Sequence, residues 1–168
     1  NLISNDAYAL NHLSFSNSKS FLERLSNYRQ KQETEYQSAR RTLEKYDINP
    51  IDFSGWMGNE LAFYETNYQN GQFAIIKTND IAQANKQLKD ISKRLATAKQ
   101  DSVYSEVYDG FEITFFPLTE FPSLIFGNMT RGFEDVFYIN YDNWLILSND
   151  FQNIKNLIDE IRNENTCA

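Results

Sequence analysis

The sequence predicts an α+β domain built on an antiparallel sheet of about six strands, arranged as three hairpins, with amphipathic helices packed on one face. Three observations lead to it. Turn-forming dipeptides separate short apolar-alternating runs at Asn70-Gly71, Asp109-Gly110 and around Asp142-Asn143. Three stretches repeat apolar residues with the period of a helix, over 80–98, over 150–162 and from Asn17 onward. One pattern, a strand running into Thr-Asn-Asp or Ser-Asn-Asp and then a helix, occurs twice at an offset of 70 residues, which reads as a weak internal ββα duplication.

The elements follow in chain order. From Asn17, Phe21, Leu22, Leu25 and Tyr28 form an apolar stripe that Leu43 and Tyr46 resume. Between them RQKQETE (29–35) is wholly polar, so it is either an exposed stretch of one long helix or a break between two. Asn49-Pro50 marks a turn, because Pro50 disfavours a helical residue before it. ELAFYET and QFAIIKT form the first hairpin across Asn-Gly, a dipeptide suited to positive φ. Over 80–98, Ile81, Ala84, Leu88, Ile91, Leu95 and Ala98 make one buried helical stripe. Asp109-Gly110 folds SVYSEVY onto FEITFFP. Residues 117–132 are too broken by Pro and Gly for a long element, and only a short helical turn at 123–126 fits. DVFYINY and WLILS form the third hairpin. Phe151, Ile154, Leu157, Ile158 and Ile161 then share one face of a last helix over 150–162. Asn79, Asp80, Asn149 and Asp150 stand where a side-chain oxygen can accept from the free N–H groups of a first helical turn, so they read as caps.

The chain of 168 residues is long enough for one domain with a substantial core, and 41% hydrophobic content supplies it. It divides into a helical N-terminal part (1–50), a ββα unit (58–98) and a ββ plus ββα unit (102–164). A net charge of −7 argues against a phosphate-binding surface and hence against nucleic acid as a partner. The single cysteine, Cys167, allows neither an intrachain disulfide nor a Cys-based metal site. No apolar run reaches the length of a membrane span. A first residue of Asn suggests a segment excised or processed from a longer protein, with a signal or anchor removed.

No pattern predicts catalysis, a cofactor or a metal. The only histidine is His12, no G-x-S-x-G elbow or phosphate-binding Gly loop is present, and the six Gly fall mostly in turns. Acidic pairs such as Glu33/Glu35 and Glu134/Asp135 suit solvated faces, and Asn128-Met129-Thr130 matches only a short glycosylation pattern. The stretch SGWMGNELAFYE (54–65) is the one candidate site. Trp56 reads first as a packing anchor whose indole N–H finds a partner. The alternative makes Trp56, Glu60 and Tyr64 ligand or partner contacts, with Tyr104, Tyr108 and Tyr138 beside Tyr64 on an uncovered sheet face. An enzyme reading would need Glu60 and Asp52 as a carboxylate pair.

Short motifs carry a resemblance across most of the chain. They are Ile48, Pro50, Asp52 and Phe53; the Trp56-x-Gly58-x-Glu60 group; the Asn79-Asp80 to Leu88 helix start; Tyr108, Gly110 and Ile113; and the WLILSND strand into a helix. Together they resemble an uncharacterised bacterial family, domain of unknown function 3352, and similar multi-module proteins of Bacteroidetes type. The resemblance implies an exported or cell-envelope protein, extracytoplasmic and longer than this chain. It supplies no activity, cofactor or catalytic residue. The expectation is therefore a non-enzymatic interaction or structural module that meets an unknown protein partner or adjacent domains. The alternative is a small-ligand or glycan-binding domain using Trp56 and exposed Tyr residues.

Overall fold

A computed structural model describes residues 2–32 and 34–163. The strands are β1 (Ala7–Ser14), β2 (Met57–Thr66), β3 (Gln72–Thr78), β4 (Ser105–Tyr108), β5 (Phe111–Phe115), β6 (Phe137–Tyr141) and β7 (Trp144–Ser148). They form one antiparallel sheet in the order β1-β2-β3-β7-β6-β5-β4. The helices are α1 (Ser18–Gln32), α2 (Thr34–Lys45), α3 (Ile81–Lys99), α4 (Phe121–Phe126) and α5 (Phe151–Arg162), with a 3-10 turn over Pro50–Gly55. The α+β class and the antiparallel sheet agree with the sequence reading. Among the described residues the strands number seven rather than six. The added one, β1, lies in the part read as helical, and its partner β2 is far along the chain, so no hairpin turn announces it.

Helices cover both faces, not one. Ala74, Ile76, Leu145 and Leu147 point to the same core as Ala84, Leu88 and Ile91 of α3. Their neighbours Phe73, Ile75 and Ile146 point the other way, to Ile154, Leu157 and Ile158 of α5. The correction follows from strand parity, since successive side chains alternate between faces. Both ββα units are present, β2-β3-α3 and β6-β7-α5. However, β3 and β7 pair side by side, and their helices leave on opposite faces. The two units therefore have opposite hands. At the offset of 70, Ile76 aligns with Ile146, yet one faces α3 and the other α5.

Local chemistry sets the boundaries. The Asp80 carboxylate accepts from the Gln83 N–H at 2.9 Å, and Asp150 accepts from Gln152 and Asn153 at 2.8 and 3.1 Å. The neighbouring asparagines do a different job. Asn79 donates to the Met57 carbonyl, and Asn149 accepts from the Gln72 N–H and donates to the Asn70 carbonyl. They tie each helix start to an adjacent strand instead of capping it. Asp109 and Gly110 take positive φ (45° and 83°), as their hairpin requires. In the first hairpin the positive φ falls on Gln69 and Asn70, while Gly71 is extended at −63°. Gly71 is small for another reason: a Cβ there would collide with the Thr66 hydroxyl.

The polar stretch after α1 is a break. Ser26 and Tyr36 share a hydrogen bond at 3.1 Å, and the Arg29 guanidinium lies 5.1 Å from the Tyr36 ring centre. Ten residues on one straight helix would hold Ser26 and Tyr36 about 15 Å apart, so α2 folds back on α1. Of the acidic pair at this break, Glu33 lies outside the described residues. Buried Arg29 reaches on to α4 and donates to the carbonyls of Ser123, Leu124 and Ile125; Ser123 also accepts from the Gly127 N–H, while Leu124 and Ile125 lie in the last turn, where a helix leaves its carbonyls without internal partners.

Trp56 follows the 3-10 turn and is 1% exposed. Its ring meets Phe53 edge-on at 5.6 Å, and its indole N–H donates to Gln87 of α3. It thus pins the linker to the α3 side of the sheet. Trp56→Ala should lower unfolding free energy by about 3–5 kcal/mol in a denaturant titration. A loss below about 1 kcal/mol would contradict the anchor.

Candidate functional site

The α5 face of the sheet is only partly covered. α5 lies over Phe73, Ile113, Ile139 and Ile146. Toward β1 and the β6–β7 turn the face opens into a groove of about 550 Å³. Ala62 and Ile75 form its floor, and Leu2, Ile3 and Leu10 its walls. Tyr141 and Trp144 close one end, and His12 and Asp142 are its polar members. The wall near the N-terminus is tied in place. Tyr64 donates its hydroxyl to the Leu2 carbonyl at 3.3 Å, and Ser4 donates to Glu160 of α5 at 2.9 Å.

Sheet register builds the aromatic end. Tyr141 and Trp144 flank the two-residue turn at Asp142-Asn143 and pair directly across it. Residues in that relation share a face. Phe111 on β5 extends the row, its ring 6.0 Å from Tyr141 and nearly parallel. Lys77, opposite Trp144 on β3, holds its ammonium 5.7 Å from the Trp144 ring centre.

A charged cluster stands beside the groove. Lys77 Nζ donates to Glu60 Oε1 at 2.5 Å, and His12 Nε2 lies 3.7 Å from Glu60 Oε2. The Lys77 hydrogen bond is the main reason the Glu60 carboxyl is held below the usual carboxylate range, with partial burial opposing it. Glu60 is thus a neutralised carboxylate, poorly suited to act as a base. Among the described residues, no group of three or more His, Cys, Asp and Glu side chains is placed to hold a metal. Cys167 lies outside the described residues. The arrangement offers apolar contact, two aromatic rings and little else.

The residues singled out from sequence separate. Glu60 borders the groove. Trp56 is buried on the opposite face, and Tyr64 is 2% exposed and stacked on Phe73 at 4.6 Å, so neither presents a ring to a ligand. Burial raises the Tyr64 phenol well above its ordinary range. Asp52 sits in a hollow against Gln83 and Lys86 of α3, so the sheet separates it from Glu60 and the carboxylate pair does not exist. Tyr138 is buried on the α3 side, and that burial pushes its phenol up to about 12. Tyr104 is exposed, and Tyr108 donates to Asp159 of α5 at 3.0 Å. The sequence reading did not pick out Tyr141, Trp144, Leu10 or the wall residues Leu2 and Ile3. Tyr141 and Trp144 had a readable signal, because a two-residue turn forces its flanking residues to face each other.

No known protein family, characterised protein or solved structure matches the chain.

The depressed Glu60 carboxyl has a definite pH signature. Its stabilisation is complete above the ordinary carboxylate range and is lost as pH falls through the lowered folded value. Glu60→Gln should therefore flatten the acid limb of a stability–pH curve while changing stability at pH 7 by less than about 1 kcal/mol, since Glu60 and Lys77 are partly exposed. An acid limb identical to the unsubstituted chain would show that the pair contributes nothing.

Proposed function

We propose that the chain is a non-enzymatic interaction module of a larger exported or envelope protein, and that the groove ending at Trp144 is its contact surface. The observation that carries this reading is the groove itself. It is mostly apolar, its floor and walls are held by sheet register and by the N-terminal segment, and two half-buried aromatic residues close one end. A preformed apolar concavity with few polar members suits apolar side chains presented by an extended segment of a partner or an adjacent domain. The neutralised Glu60 beside it offers no free base for chemistry. The envelope setting rests on the motif resemblance alone.

A second reading has its own support. Tyr141 and Phe111 stack nearly parallel at the sheet end and Trp144 pairs with Tyr141 across the turn of Asp142 and Asn143, so three aromatic residues make a row there. Such a row suits a sugar ring stacked on an aromatic face and held by polar neighbours.

Selection from a displayed library of random extended peptides tests the first reading. The peptides recovered should carry Leu, Phe or Trp at alternate positions, and Trp144→Ala should weaken their binding at least about tenfold. Binding indifferent to Trp144→Ala would refute the assignment. For the second reading, a Trp56→Phe variant leaves Trp144 as the only indole. Its emission should shift on titration with soluble chito- or cello-oligosaccharides if sugar is the ligand, and stay constant otherwise.

A further inference from the structure

The sheet has two edges, β1 and β4, and they are protected very differently. β4 is four residues long and carries Glu106, paired with Lys155 of α5 at 3.0 Å. Short length and charge are the usual defences of an edge strand. β1 is eight residues long and contains no Asp, Glu, Lys, Arg or Pro. Its Tyr8 and Leu10 side chains are 59% and 49% exposed. Its only irregularity is a register shift at Tyr8, so pairing runs evenly from Ala9 to Ser14.

The free main-chain groups of this edge can be identified. Phe15 donates its N–H to the Asn59 carbonyl at the β2 side. Alternation along the strand then turns Asn11 and Leu13 toward β2, and turns the N–H and C=O groups of Leu10, His12 and Ser14 outward. These three residues are symmetric about His12.

We propose that β1 pairs antiparallel with β1 of a second copy about a two-fold axis through His12, joining two seven-stranded sheets into one. In this register Leu10 faces Ser14 of the second copy and His12 faces its own counterpart. Every outward group of the three residues is used, which gives about six inter-chain hydrogen bonds. An axis through Asn11 would leave Ser14 unpaired. Charge favours the same occupant. The chain carries a net charge of −7, which opposes most self-contacts, but β1 brings no Asp, Glu, Lys or Arg to the seam. An axis perpendicular to the sheet also keeps both grooves on one face. Leu10 and His12 wall each groove, so the pair presents two adjoining binding surfaces.

Sedimentation equilibrium from about 1 μM to about 1 mM should show the mass rising to that of two chains. Over the same range, amide exchange should slow at Leu10, His12 and Ser14, while Asn11 and Leu13 stay protected throughout. His12→Pro removes one outward N–H and leaves the β1–β2 hydrogen bonds intact. It should weaken association at least about tenfold relative to His12→Ala, which loses the same Glu60 contact but keeps the N–H. His12→Ala should leave association near that of the unsubstituted chain, because the main chain carries the contact. A monomer at every concentration would overturn the proposal, as would a dimer whose Leu10, His12 and Ser14 amides exchange freely. Growth beyond two chains would overturn it in favour of head-to-tail β1–β4 pairing. If His12→Pro fails to fold, amide exchange of the unsubstituted chain decides. Peptide binding at Trp144 is measured on either species, so this test and that of the groove fail independently.

Discussion

Five residue pairs between β3 and β7, from Phe73–Ser148 to Lys77–Trp144, hold the two halves of the chain in one sheet. This ladder lies at the centre of the strand order, and both of its faces are buried. Its strands therefore supply unbroken apolar runs, FAII and WLIL, with polar Ser148 and Lys77 only in the terminal pairs. Register across the ladder then decides everything that sits on it. With Ala74 opposite Leu147 and Ile76 opposite Leu145, one set of side chains belongs to the α3 core and the other to the α5 core. A slip of one residue would exchange the two sets and strand polar Lys77 in the α3 core.

The sequence made the local elements readable because their causes are local. Asp-Gly and the helical stripes of α3 and α5 report short-range preferences, and the structure has all three. Trp56 was legible as an anchor because two glycines and a linker surround it. What escaped was non-local. β1 pairs with a strand some fifty residues away, and its mixed pattern contains no turn. The second covered face was also missed, although FAII and WLIL held the clue. A strand open on one side alternates with polar residues, while an unbroken apolar run needs cover on both. The candidate site moved for the same reason. Trp56 and Tyr64 look accessible in a linear reading, but the core claims both, and Trp144 takes the open position because α5 stops short of it.

The groove depends on three separate constraints that meet at one corner. The β6–β7 turn aligns Tyr141 with Trp144. The Glu60–Lys77 pair fixes a cation near the Trp144 ring, where the π-electron face favours it. The N-terminal segment supplies Leu2 and Ile3, held by bonds from Tyr64 and Ser4 to fixed partners. None of these contributes a reactive group. Each instead shapes or desolvates an apolar surface, as the proposed contact surface requires.

The opposite hands of the two ββα units limit what can be carried from one to the other. Objects of opposite hand cannot be superposed by rotation, so the capping residues Asp80 and Asp150 keep matching local roles while strand residues of the two units do not share a core. Ile76 and Ile146 align in sequence but sit in different cores beneath different helices. A substitution tolerated at one says nothing about the other. A consensus sequence averaged over the two units would mix the demands of two unlike environments, and would suit neither.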